Sequence, residues 1–446
     1  MPLDMLRFPA DFLWGTATSA HQVEGQLAND WSEWERIPGK VKDGSNSARS
    51  CEWWAGRYEQ DFDLARAMNQ NALRLSIEWS RIEPTQGLWD GEAVARYREM
   101  LMALRERGIE PMVTLFHFTS PLWLAEQGGW ENEAAIGYFE RFAAKAAEEL
   151  GDLVGLWCTI NEPNVYAVYS YLLGLWPPQK RNLLTTLRVL RHQILAHVCA
   201  YRAIHERQPD ARVGLAQSLR VFDPFRPHSS LDRWAARLQD HLFNELVLQP
   251  PASGVLPFPL GFNTALPGGA DAQDFIGLNY YSRDMVSFDI GQPGLLFTRR
   301  FAKPGADFSM EGWGEIYPDG LYRLLKRLKQ YDKPIYITET GVPDNNDALR
   351  PRFLLTHLTA ALRALQEGVP LKGFYFWSLV DNFEWADGFA ARFGLVHLDL
   401  DSGQRMCKRS AELYGEVCRT GVISREVVER YVPELTEQLF PSDESD

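Results

Sequence analysis

Leu156-Trp157-Cys158-Thr159-Ile160-Asn161-Glu162-Pro163 is an apolar run that ends abruptly in Asn-Glu-Pro. Such a run reads as a buried strand handing a carboxylate to the first residue of a loop, where a parallel α/β protein keeps its chemistry. Pro334-Ile335-Tyr336-Ile337-Thr338-Glu339-Thr340-Gly341 repeats the design with its own glutamate. Held at like ends of two strands, Glu162 and Glu339 are expected to face each other across one pocket.

Working outward, short β-rich runs bounded by polar, Gly or Pro residues predict eight strands, at 12–18, 71–77, 111–116, 156–161, 212–217, 275–280, 334–339 and 372–378. Helical periodicity fills the intervals at 57–68, 92–107, 133–150, 184–206, 231–246, 320–330 and 350–367, with a last helix at 408–419. Gly108, Gly151 and Gly368 read as helix stops. Eight strands alternating with helices predict an α/β fold, a single (β/α)8 TIM barrel with elaborated loops at its C-terminal face. The rival, a doubly wound open sheet, usually carries a Gly-rich phosphate loop after its first strand. Here Ala17-Thr18-Ser19-Ala20-His21-Gln22 stands in that place. With no linker, repeat or low-complexity tract, residues 1–446 read as one catalytic domain whose acidic end, about 441–446, is expected to be disordered. The long segments 41–55, 222–231, 249–270 and 284–312 are expected around the barrel mouth.

Composition narrows the function. A chain of 446 residues, 45% hydrophobic and 24% charged, can bury a large core. Its formal net charge of -13 argues against nucleic acid or an anionic membrane surface as partner. Residues 1–8 lack the basic and apolar regions of a secretory signal, and no apolar run approaches the ~20 residues that cross a bilayer. The five cysteines are scattered and without CxxC spacing, so they read as reduced thiols in a cytoplasmic protein with no metal site. The aromatic content of 12%, with 15 Trp, mostly fills core, yet several of these rings lie at strand ends beside polar residues. Stacking a sugar's C–H face on an aromatic while polar neighbours take its hydroxyls would need that mixture.

The strand ends assemble a site. They contribute Gln22 and nearby Glu24, Arg74 and Glu78, His117, Asn161 and Glu162, Asn279 and Tyr281, Glu339, and Trp377 with Glu384 and Trp385 just beyond. This set holds no Ser-His-Asp arrangement, no Cys paired with His and no HExxH. What remains is a carboxylate pair in a polar, aromatic pocket, which suits cleavage of a glycosidic bond. Glu78, Glu83 and Asp381 read as structural.

These residues resemble glycoside hydrolase family 1, the retaining β-glucosidase and β-galactosidase family. The likeness runs from Phe12-Leu13-Trp14-Gly15-Thr16-Ala17-Thr18-Ser19-Ala20-His21-Gln22-Val23-Glu24-Gly25 to Arg392-Phe393-Gly394-Leu395. It includes Gly277-Leu278-Asn279-Tyr280-Tyr281-Ser282 and Trp377-Ser378-Leu379-Val380-Asp381-Asn382-Phe383-Glu384-Trp385. The resemblance implies a cofactor-free enzyme acting with retention on terminal β-D-glucosides, and on β-D-galactosides and β-D-fucosides. It makes Glu162 the acid/base and Glu339 the nucleophile, with carboxyl groups ~5–5.5 Å apart. Arg74, Tyr281 and Asn279 would support the nucleophile, and a cation beside Glu339 should keep it ionised. Asn161 would bind the sugar 2-hydroxyl, and Gln22, His117 and Glu384 the 3-, 4- and 6-hydroxyls. Trp385 would donate its indole N–H to that network, Trp377 would lie beneath the ring, and Trp313 would face the leaving group.

Departures from the family pattern are Thr340 after the nucleophile in place of Asn, Phe118 after His117 in place of Trp, and Trp313 displaced by one residue within Glu311-Gly312-Trp313-Gly314-Glu315-Ile316. A carbohydrate-binding or transport protein could use the same aromatics and amides but would not need both glutamates. Silent relatives and thioglucosidases typically lack the acid/base glutamate, which this chain keeps. Glu384 would repel a 6-phosphate, so unphosphorylated β-glycosides or short oligosaccharides are the expected partners. Homo-oligomerisation is left open.

Overall fold

The computed structural model describes residues 5–310 and 313–441, so Met1 to Asp4, Glu311, Gly312 and the acidic end from 442 lie outside the described residues. Eight parallel strands form the centre: β1 (Leu13–Ala17), β2 (Ala72–Ser76), β3 (Glu110–Phe116), β4 (Leu156–Asn161), β5 (Arg212–Ser218), β6 (Phe275–Asn279), β7 (Ile335–Thr340) and β8 (Leu371–Trp377). They close into a barrel in the cyclic order β1 to β8, with β8 pairing β1 through Phe374 opposite Trp14. Every strand lies within one residue of its predicted limits, because strands covered on both faces read as continuous apolar runs.

The covering helices are α1 (Tyr58–Ala67), α2 (Gly91–Glu106), α3 (Ala134–Leu150), α4 (Leu183–Arg207), α5 (Ser230–Asp240), α6 (Pro318–Leu328), α7 (Arg350–Gln366) and α8 (Arg409–Thr420). Asp90 caps α2 by accepting from the backbone N–H groups of Glu92 and Ala93 at 2.9 and 3.0 Å, and Asn182 caps α4 at Thr185. Gly108 and Gly368 follow their helices with φ of +71° and +79°, whereas Gly151 ends α3 in right-handed backbone.

Two expectations need correction. The helix predicted at 231–246 is α only to Asp240; it passes into a single π turn at His241–Glu245 and resumes at Leu246–Ser253. Apolar periodicity cannot register one extra residue in a turn. The segment 249–270 is not a mouth loop: it completes that helix and forms the hairpin of Gly254–Leu256 with Thr264–Ala270. The hairpin leads within a few residues to the start of β6, and Gly268 packs on Arg202 near the C-terminal end of α4. Both features put it at the barrel end opposite the pocket. The segments 222–231 and 284–312 are also more regular than loops, contributing Val221–Pro224, Arg283–Phe288 and Thr298–Phe301 to a three-stranded sheet.

The candidate active site

Three of the strands that carry polar residues to the pocket are irregular at the pocket end. The pairing register shifts between Cys158 and Asn161 on β4, between Leu278 and Asn279 on β6, and between Ile337 and Thr340 on β7. Bulges of this kind re-aim side chains, here letting neighbours on one strand serve one site. Glu162 follows β4 directly, in left-handed backbone at φ 43° and ψ 59°, while its N–H donates to the Ala216 carbonyl at 2.8 Å. Pro163 then opens a short helix, where its missing N–H costs nothing.

The two glutamates are joined by a chain of hydrogen bonds. Arg74 Nη1 donates to Glu339 Oε1 at 2.5 Å and Arg74 Nη2 to Asn161 Oδ1 at 2.7 Å. The Tyr281 hydroxyl donates to Glu339 Oε2 at 2.8 Å. Asn279 Nδ2 donates to Glu162 Oε1 at 3.0 Å and to Asn161 Oδ1 at 3.1 Å. Glu162 and Glu339 thus have different neighbours: an amide and the Ser218 hydroxyl for the first, a guanidinium and a phenol for the second. Thr338 fixes the Asn279 amide by donating to its Oδ1 at 2.7 Å, and Thr114 accepts from Arg74 Nε at 3.0 Å. Sequence reading missed both threonines; only the bulge in β7 brings Thr338 and Glu339 to the same network.

Burial sets the electrostatics. Glu162 and Glu339 are 7% and 3% exposed. Removal from water, then the negative charge of Glu339, pushes the Glu162 carboxyl up to about 8. Burial raises Glu339 as well, which simple pairing with Arg74 does not anticipate; Arg74 and Tyr281 pull it back down. Of the two glutamates only Glu339 is bonded by the cation and the phenol, so the charge of the pair rests there and the proton on Glu162. Oε1 of Glu162 accepts from Asn279, and the Ser218 hydroxyl also favours the ionised form of this carboxyl, but neither outweighs burial.

At the other end of the pocket, Glu384 Oε2 accepts from Gln22 Nε2 and Trp377 Nε1, each at 3.3 Å. Burial holds the Glu384 carboxyl well above its ordinary range, those two donors opposing it. Gln22 is oriented by Ser19, whose hydroxyl donates to Oε1 at 2.7 Å. His117 Nε2 faces Asn161 Nδ2 at 3.2 Å, and burial and then Arg74 keep its imidazole neutral. The His117 ring stacks between Trp377 and Trp385, at 5.9 and 6.0 Å.

His117, Glu162, Tyr281, Glu339, Trp377, Glu384, Trp385 and Trp313 all line one cavity of about 900 Å³. Gln22, Arg74, Asn161 and Asn279 are fully buried and reach it through the bonds above. Trp313 is half-buried, 4.8 Å from Phe393 and 6.5 Å from Tyr281, on the nucleophile side. Phe118 packs between Trp176 and Trp385 at 5.0 and 5.2 Å, so the departure after His117 alters ring packing. Thr340 leaves its buried hydroxyl without a partner among the described residues.

The model of the family described as Glycosyl hydrolase family 1 matches residues 5–422. "Beta-glucosidase A" of Thermotoga maritima is 33% identical over 447 residues, covering 94% of this chain and 99% of the relative. The solved beta-glycosidase from Pyrococcus horikoshii superposes with a TM-score of 0.89 at 36% identity, covering 98% of this chain and all of the other. The Thermotoga maritima beta-glucosidase in complex with glucoimidazole superposes at 0.87 with 32% identity, over 93% and 99% of the two chains.

Proposed function

The chain belongs to glycosyl hydrolase family 1 and is a glycoside hydrolase, and from that premise we propose that it removes terminal non-reducing β-D-glucosyl residues with net retention. β-D-Galactosides and β-D-fucosides belong to the same reading. The observation that carries it is the asymmetric carboxylate pair: Glu162 on an amide, Glu339 on a guanidinium and a phenol, both in one cavity.

Ionised Glu339 attacks the anomeric carbon while Glu162 passes its proton to the departing oxygen, giving an alcohol and a glycosyl ester of Glu339. Esterification removes the negative charge that raised Glu162. Its carboxyl then returns toward the ordinary range and takes a proton from the water that attacks the same carbon, freeing Glu339. Asn161 faces the sugar 2-hydroxyl, Gln22, His117 and Glu384 hold the hydroxyls farther round the ring, and Trp377 and Trp385 flank it. The T. maritima beta-glucosidase solved with glucoimidazole supports a sugar-sized ligand in such a pocket. The proposal takes residues 1–446 as one catalytic unit working without a cofactor. It also takes the cytoplasm as its location, supported by five unpaired cysteines.

Aryl β-glucoside turnover by the wild type and by Glu339→Ala tests the assignment, with loss on the order of the 10²–10⁴-fold typical of a removed catalytic group, or greater, expected for the variant. NMR of the first-formed sugar should show the β anomer. Full turnover by the variant, or an initial α product, overturns the mechanism.

A further inference from the structure

Just after β1, two consecutive residues reach two consecutive residues beyond β8. Gln22 donates to Glu384, and the His21 ring lies on the Trp385 ring, with centroids 5.5 Å apart and planes within 5° of parallel. Trp385 lines the cavity and lies nearly parallel to His117 as well. Its φ is +50°, left-handed backbone that a bulky residue keeps only where its surroundings hold it. His21 is not among the residues that line the cavity, and its side chain is fully buried.

The nitrogens of His21 are set by the segment 29–47. Asn29 Oδ1 accepts from the Ser32 N–H at 2.8 Å, which turns Asn29 Nδ2 toward His21 Nδ1 at 3.2 Å. An amide nitrogen only donates, so Nδ1 is the accepting nitrogen and the ring proton sits on Nε2. His21 Nε2 faces Glu35 Oε2 at 3.4 Å, and neither atom has an aligned hydrogen-bond partner among the described residues. Glu35 Oε1 is taken by Ser47, whose hydroxyl and N–H donate to it at 2.8 and 3.2 Å. With side chains 0% and 4% exposed, the pair is shut off from bulk water, and the imidazole and the carboxyl answer each other. The same stretch of chain holds the Trp385 turn: the Lys42 N–H donates to the Ala386 carbonyl at 2.8 Å, and Asp43 Oδ2 accepts from the Phe389 N–H at 2.7 Å.

We propose that His21 and Glu35 are positioning residues for the sugar: the pair fixes the His21 ring, and that ring fixes the plane in which the Trp385 indole meets the sugar hydroxyls. The inference rests on the reading of the cavity as a sugar site given above. Neither residue touches the sugar, so a change in either is felt through Trp385.

The test is kcat/KM of the full chain for an aryl β-D-glucoside beside its 3-, 4- and 6-deoxy analogues, read as the ratio of parent to analogue. In Glu35→Gln, Ser47 claims the amide oxygen and the amide nitrogen is left facing His21 Nε2–H, two donors with no acceptor between them. At least one ratio should then fall roughly two- to tenfold, the contribution of one hydrogen bond between uncharged groups. His21→Phe keeps an aromatic face without either nitrogen and should lower the same ratio; the double variant should lower it no further, because the two residues act as one unit. A merely structural pair would lower kcat/KM for parent and analogues alike. Three unchanged ratios in Glu35→Gln, or single-variant losses that multiply in the double variant, overturn the proposal while wild-type turnover leaves the glycosidase reading intact. Absence of wild-type turnover overturns both. Glu35→Gln preserves size and shape, so the first outcome does not depend on whether His21→Phe folds.

Discussion

Glu162 can serve as an acid near neutral pH because two effects raise its carboxyl together, burial and the charge of Glu339, and because Arg74 and Tyr281 are spent on Glu339 instead. A group that must be protonated is competent below its pKa, so kcat/KM should fall as pH rises through about 8. Glu339 must be ionised and governs the acid side. Tyr281→Phe removes a donor that favours the ionised form, so the acid limb should move to higher pH. A hydrogen bond to a charged group contributes about 1.5–3 kcal/mol, so kcat/KM should drop roughly ten- to hundredfold. A pH–rate profile of the variant checks both, and an unmoved acid limb would separate Tyr281 from Glu339. Both glutamates were legible in the sequence, as carboxylates after apolar runs. The support from Thr338 and Thr114 was not, since it depends on a bulge and on a neighbouring strand.

At the scale of elements, strands and helices follow their sequence signals because the barrel asks each for what its residues prefer: apolar runs covered on both faces and amphipathic helices with capped ends. The Asp90 cap on α2 is one such local device, and Asp90 is not among the residues that line the pocket. Asp90→Ala should lower the free energy of unfolding by about 1 kcal/mol without changing kcat/KM. Urea denaturation beside steady-state kinetics measures the two, and a parallel loss of activity would tie α2 to the site. Elements the sequence did not show are those whose form depends on partners. The register shifts on β4, β6 and β7, the π turn after α5 and the hairpin below β6 all interrupt a regular pattern that periodicity assumes unbroken.

For the whole molecule, the barrel holds distant parts of the chain together. The Tyr414 hydroxyl donates to the carbonyls of Gly15 and Phe374 at 2.7 and 3.1 Å, pinning α8 over the seam between β8 and β1. Asp61 on α1 accepts from Arg405 Nε at 2.9 Å and from Trp53 Nε1 at 2.7 Å, with the Asp61 and Arg405 side chains 0% and 1% exposed. Asp61→Ala strands a buried guanidinium and should cost about 3–5 kcal/mol of stability. A thermal melt within a degree of the wild type would show that water or a neighbour replaces the carboxylate. By itself the sequence determined the alternation of strands and helices, the barrel it implies and the two glutamates at like strand ends, since these follow from burial and chain-local preference. Only the tertiary structure decided how Thr338 and Thr114 brace the network that joins the two glutamates. Charge is shared out by whichever side chains closure brings together from strands far apart in the chain.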